Sequence, residues 1–436
     1  MFLILFSLSI CLAAVLLLLW MLRRNGVSLG LPIAYLFLLL REHVPGAYVH
    51  LIGEEFFFNS AFVETGIWFT AIGSLFFVAG VWVAGCSPAD RAVHRTPADR
   101  QQFVLFCLIS GWLFTFGLRS FLIDVPSIGA LVDKGGAIWI LGVLLGLRQA
   151  VWLGDLKGIV LWLAALVVYP TSLLLVGFAG IGTQSVIIVI CALTVSARKF
   201  SRILVGIAGV TFVGLSFYVN YFEERHVIRQ TTWELNIADQ LTFVASRFSN
   251  MDWFDQSNPR HLHALDQRLN QNYFVGIAAV RIQQGLADYL YGQSILEGIV
   301  SLVPRAAWPD KPVFGGSGDI VANATGLQLS KTTSWGVGNV MEFYINFGYS
   351  GLIVGFFLLG WLLRTLDRQS AVAERRGELG KLILSFLPAL ALIGPLVSMV
   401  ELVSGSAAAL LSAFCFKWIW ETCFQRHAWK PSASST

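Results

Sequence analysis

The sequence predicts an all-α polytopic membrane protein with about 11 transmembrane helices and one large periplasmic loop. Composition and spacing carry that prediction. The chain of 436 residues is 56% hydrophobic and 13% charged, with a mean hydropathy of +0.70, whereas about a quarter of the residues in soluble domains are charged. The apolar residues gather in runs of about 20, the length that crosses a bilayer core. An ordinary soluble domain is excluded. The net charge of +4 says little about partners, because its distribution matters more than its sum.

Taken in order, the runs place spans at residues 2–22, 27–40, 61–84, 103–123, 136–150, 158–178, 180–197, 203–221, 337–363, 382–400 and 404–420. The opening "MFLILFSLSICLAAVLLLLWMLRR" has its cations after the apolar run, unlike a cleavable signal peptide, and reads as a retained span. The run at 27–40 is short, and the group between 136 and 197 is closely spaced. The organisation expected is a membrane bundle over 1–221, a long loop over 222–336, C-terminal spans over 337–420 and a tail over 421–436, whose end "KPSASST" reads as disordered.

Basic residues orient the spans. Arg23 and Arg24, Arg91 to Arg100, Arg148 and Lys157, Arg198 to Arg202, Arg364 to Lys381, and Arg426 with Lys430 fall on one side if the spans alternate. Those connections are expected to be cytoplasmic, with the N-terminus outside and the C-terminus inside. The loop of 222–336 is then periplasmic if the host is a bacterium with a multi-pass inner-membrane protein. Its many cations do not contradict the rule, because long loops translocate regardless of charge.

Several chemistries lack their signals. Internal repeats that mark many transporters are not visible, and ionisable groups are few at mid-membrane. The six cysteines show no C-x-x-C or Cys/His spacing, so neither a disulfide framework nor a zinc site is indicated. "FGGSGD" lacks the Lys-Ser/Thr of a phosphate-binding loop, and "NAT" at Asn323 is a bare glycosylation pattern. No metal, cofactor or nucleic acid is expected.

A loop of this length is usually functional. Ile237, Leu241, Val244, Phe248 and Met251 form an apolar stripe at helical spacing, suited to the membrane surface. "SILEGIVSLVP" is apolar but too short to span, and Pro304 ends it. "VPRAAWPDKP" follows, its three prolines holding Arg305, Trp308, Asp310 and Lys311 in a backbone that cannot become a helix. Then comes "VFGGSGDIVANATG", which reads as a flexible Gly-rich run.

The cations of this loop have two readings. Arg305 and Lys311 around Trp308 are either an anion clamp, with a planar guanidinium fork and a point charge, or interfacial anchors at lipid headgroups. Arg119, near the outer end of the fourth span, either serves function or snorkels; Arg41, beyond the second span, is a weaker case. Arg247 in the amphipathic helix and Arg281 after "VGIAAV" either reach an anionic headgroup or face water. Arg225, His226 and Arg229 sit beside Glu223 and Glu224, so local pairing explains them. Glu342, in "NVMEFYINFG", stands at the mouth of a span where a free carboxylate is costly. It is a general base or a residue that orients a sugar hydroxyl, or else the partner of a nearby Arg. Asp310 is a second choice for the base.

"LVPRAAWPDKP", the Gly/Ser-rich stretch after it and "GVGNVMEFYINFGYSGLIVGFFLLG" resemble the bacterial oligosaccharide repeat-unit polymerases, the O-antigen and exopolysaccharide polymerase (Wzy-type) family. The motif match runs from Ser301 to Trp361. The resemblance implies a GT-C-like glycosyltransferase that moves a growing glycan from undecaprenyl diphosphate onto a lipid-linked repeat unit, without nucleotide sugar or metal. It implies that Arg305 and Lys311 hold the diphosphate and that Glu342 stands near the acceptor, with Arg247 alongside. Expected partners are the undecaprenyl-diphosphate-linked oligosaccharide, membrane lipid, a chain-length regulator and a flippase.

Three other readings compete. A ligase would depend on a periplasmic His, but His226, His261 and His263 lie in no matching motif. A flippase or other transporter should line a central cavity with charge and keep short outer loops. An acyltransferase lacks an intramembrane His poised for it.

Overall fold

The computed structural model describes residues 1–25, 27–53, 58–85, 97–123, 125, 128–175, 179–196, 209, 211–222, 227–228, 237–248, 251–303, 307–308, 310–312, 316–328 and 336–425. Among the described residues the regular structure is helical, without a strand. Among those residues, six helical segments are long and apolar enough to cross a membrane: Phe2–Arg24, Ser60–Ala84, Arg100–Leu118, Ile128–Leu153, Asn339–Arg376 and Met399–Phe424. The chain is an all-α membrane protein.

In chain order the helices are α1 (Phe2–Asn25), α2 (Leu31–Arg41), α3 (Val44–Leu51), α4 (Ser60–Ala84) and α5 (Pro97–Trp112). A π-helical stretch at Leu113–Leu118 leads into α6 (Arg119–Leu122), α7 (Ile128–Gly136), α8 (Ile138–Leu153), α9 (Leu156–Leu175) and α10 (Ala179–Ser196). Residues 211–222 form α11. The long connection carries α12 (Ile237–Phe248), α13 (Pro259–Arg268), α14 (Asn272–Gln283), α15 (Gln293–Ser301) and α16 (Ser317–Thr325). The chain then enters α17 (Asn339–Arg376), α18 (Leu379–Ala391) and α19 (Met399–Trp420).

The centre is the α4–α17 pair. Membrane helices gain little from hydrophobic burial and associate where small residues let their backbones approach. A methyl group at Gly73 would meet the Phe356 ring at 2.5 Å, and methyls at Gly80 and Gly360 would strike the backbones of Phe357 and Phe77. The same device draws the long connection inward: Gly66 of α4 meets the backbone of Asn272, and Gly276 of α14 meets that of Phe62.

Charged groups fix the far end of α17. Arg364 donates to the Asp367 carboxylate at 2.8 Å and to the Val27 carbonyl at 2.9 Å. Asp367 in turn accepts the N–H groups of Leu29 and Leu31 at 2.9 and 3.3 Å. Both side chains are buried, so the pair carries the N-terminal end of α2 on its hydrogen bonds. Glu374 joins Arg100 and Arg148 at 2.9 and 2.7 Å on the same helix.

Several elements differ from expectation. The run expected over 27–40 is an 11-residue α2, about 16 Å long and too short to cross alone. The run expected over 382–400 is the 13-residue α18, followed by a turn that contains Gly394 and Pro395. The Gly-rich run after the prolines is not wholly irregular. Residues Ser317–Thr325 are helical, with Asp319 in the first turn and Gly326 closing the helix at φ 70°. The amphipathic helix is present as α12, although Met251 lies beyond its end.

Candidate functional site

Glu342 lies in the first turn of α17 and is fully buried. The helix starts where Gly338, at φ 72°, turns the chain. The N–H groups of Gly338 and Asn339 then bond the carbonyls of Leu396 and Pro395 at 3.3 and 2.8 Å. This ties α17 to the turn between α18 and α19. Glu342 Oε2 accepts the N–H of Met399 at 2.8 Å, a favourable place for an anion at the start of α19. Glu342 Oε1 is buried, and the Ser294 hydroxyl lies beside the carboxylate. Glu297 and Glu401 lie close enough to repel it.

Five residues after Glu342 the helix breaks: Phe347 and Gly348 leave helical geometry, Gly348 at φ 62°. The freed carbonyls are taken up by the chain between α14 and α15. Leu290 N–H reaches Ile345 O at 2.8 Å and Tyr291 N–H reaches Asn346 O at 3.1 Å. The Asn346 side chain accepts Gly292 N–H at 3.0 Å and donates to Ser294 Oγ and Glu342 O at 2.9 and 2.7 Å. Tyr291 pays for this clasp with φ 47°, uncommon for a side-chain-bearing residue. Its ring is 76% exposed, and Phe347 and Tyr349 are about half exposed. Tyr289 packs edge-on to Tyr291 and against Tyr344. A buried carboxylate, an amide and exposed aromatic rings therefore share the mouth of α17, a combination suited to holding and activating a sugar.

The expected cations are placed less simply. Arg305 lies outside the described residues, and so does the side chain of Arg247 on α12. Lys311 donates to the carbonyls of Ser301 and Val303 at 3.0 and 2.9 Å, sealing the end of α15. Ser294, beside Glu342, is at the opposite end of that short helix, about 10 Å away along the axis. Trp308 and Asp310 are exposed, and the turn between them is closed by Lys311 N–H to Trp308 O. Arg281 donates to Leu286 O at 3.2 Å and its guanidinium lies against Gly326. Arg119 pairs with Asp133 at 3.4 Å, beyond the π-helical stretch. Arg41 pairs with Glu42 and donates to Thr183 at 3.0 Å.

A buried polar line escaped the sequence reading. Asn272 Oδ1 bonds His43 Nδ1 at 2.8 Å, and Thr70 Oγ1 approaches the same nitrogen at 3.0 Å. Asn272 Nδ2 donates to His43 O and to Asn270 Oδ1, and Asn270 Nδ2 donates to Asp266 Oδ1 at 2.7 Å. Burial pushes the His43 imidazole down to about 4, partly offset by the Asn272 bond. Only the "NQN" repetition at 270–272 marks this line in the sequence, since its other members come from distant segments.

Comparison with protein-family models, characterised proteins and solved structures gave no match.

Proposed function

We propose that the chain is a glycosyltransferase that polymerises lipid-linked oligosaccharide repeat units, drawing the growing glycan from a polyprenyl diphosphate. The observation that carries this reading is Glu342. One carboxylate oxygen is fixed by the start of α19 and the other is buried beside the Ser294 hydroxyl, an arrangement suited to a base that takes the proton of an acceptor hydroxyl. The rings of Tyr291, Phe347 and Tyr349 at the same mouth supply faces on which sugars stack. The resemblance of Ser301 to Trp361 to the repeat-unit polymerases supports the same chemistry. On this reading Arg305 holds the diphosphate, with Lys311 seating the segment that presents it.

The finer architecture belongs to the same proposal: about 11 spans, GT-C-like, in a bacterial inner membrane, with the long connection and N-terminus periplasmic and the C-terminus cytoplasmic. A ligase or flippase has no specific observation in its favour. The test is Glu342→Gln expressed in a strain lacking the native gene. Loss of long-chain polysaccharide with single repeat units accumulating on lipid supports the reading; a normal chain-length ladder overturns it.

A further inference from the structure

We propose that Ser60, His50 and Asp266 form a second catalytic site, a nucleophile–base–acid line that transfers or hydrolyses the acyl group of a carboxylic ester. Ser60 Oγ lies 2.8 Å from His50 Nδ1, and His50 Nε2 lies 2.8 Å from Asp266 Oδ1. The three residues come from the first position of α4, the last turn of α3 and the body of α13. No local pattern in the sequence joins them.

The line is built to fix its members in role. The imidazole and carboxylate side chains are fully enclosed. Asp266 is held by Asn270 at 2.7 Å and by the N–H of Phe58 at 3.4 Å. An ionised carboxylate only accepts, so its bond to Nε2 places the ring proton there and leaves the Nδ1 lone pair facing the Ser60 hydroxyl. The two ring nitrogens are used in the opposite sense to chymotrypsin-type proteases, which leaves the proton transfer unchanged.

Ser60 is the outward member. It is half-buried, and its chain neighbours Asn59 and Ala61 are exposed. The imidazole and carboxylate are enclosed and Ser60 is half-buried, so the serine oxygen is the member of the line nearest to a substrate.

In the step proposed, the Ser60 oxygen attacks the ester carbonyl as its proton passes to His50 Nδ1. The acyl–oxygen bond breaks, the alcohol leaves with that proton, and an acyl group stays on Ser60. Water or a sugar hydroxyl then attacks the acyl carbon, gives its proton to His50, and releases the acid or new ester with Ser60 restored. The line shares no residue with the site built on Glu342 and is independent of the glycosyltransferase reading. The ester is carried either by an O-acylated sugar or by a glycerolipid.

The test treats the full chain, in detergent micelles, with a fluorophosphonate probe and reads the modified peptide by mass spectrometry. Labelling at Ser60 is expected, lost in Ser60→Ala and slowed at least 100-fold in His50→Gln. Asp266→Asn, checked for folding by gel filtration, is expected to slow it similarly. Absence of labelling in the unaltered protein, when a serine hydrolase added to the same micelles is fully modified, overturns the site. Labelling of His50→Gln and Asp266→Asn at the rate of the unaltered protein also overturns it. Acetate release from an O-acetylated oligosaccharide identifies a sugar ester, and fatty acid release from phosphatidylcholine vesicles identifies a lipid ester. Turnover of neither overturns the ester assignment.

Discussion

Glu342 accepts the backbone N–H of Met399 at 2.8 Å, so the first turn of α19 orients the carboxylate of α17. One oxygen serves the fold, and the proposed function assigns the other to chemistry. Glu342→Gln preserves an acceptor for Met399 and is expected to keep the protein folded while lowering polymer formation at least 100-fold. Glu342→Ala strands the Met399 N–H as well, at about 1–3 kcal/mol. Melting in detergent, read beside the polysaccharide ladder, separates the two effects.

Arg305→Ala is expected to leave the protein inserted but to abolish long chains, with single units accumulating on lipid carrier. Arg305→Lys restores only part of the activity, because a point charge loses the planar fork that grips a diphosphate. Normal chain length in Arg305→Ala removes this residue from the mechanism.

The break in α17 offers a test of geometry. Gly348 sits at φ 62° and ψ −142°, a region that side-chain-bearing residues avoid, and Tyr289 lies 3.2 Å from where a methyl would stand. Gly348→Ala is expected to cost about 1–3 kcal/mol, seen as a lower melting temperature. Asn346→Ala releases Gly292 and Ser294 together and is expected to lower turnover without preventing expression.

His43 makes stability depend on pH. Burial holds its imidazole down to about 4 in the folded chain, against about 6.5 when unfolded. The unfolded state therefore binds more protons between those values. Stability is level above pH 6.5, falls by about 3 kcal/mol as the pH drops to 4, and levels again below. Melting from pH 7.5 to 4.5 shows the fall, and His43→Gln is expected to flatten it.

An epitope inserted after Gly285, an exposed turn with open space about it, is expected to be accessible from the periplasm in intact cells. Cytoplasmic exposure reverses the proposed orientation.

The sequence announced what its periodicity encodes. The apolar runs gave the long helices, helical spacing gave α12, and Pro304 closely followed the end of α15 at Ser301. Glu342 stood out because a carboxylate beside a span is costly. What stayed hidden depends on segments far apart in the chain: His50 and Asp266 are 216 positions apart, and nothing local marks either. Lys311 shows the converse, a cation conspicuous among prolines whose structural partners are the carbonyls closing α15.

The bonds from Asp367 to Leu29 and Leu31 join positions separated by 338 and 336 residues. During synthesis the N-terminal end of α2 has no such partner until α17 has been made, so this contact closes only after most of the chain has entered the bilayer. Chains stopped before residue 367 lack the acceptor and are expected to leave the start of α2 unsecured, a ready target for membrane quality control. For this protein, securing the start of α2 is a late event of biogenesis.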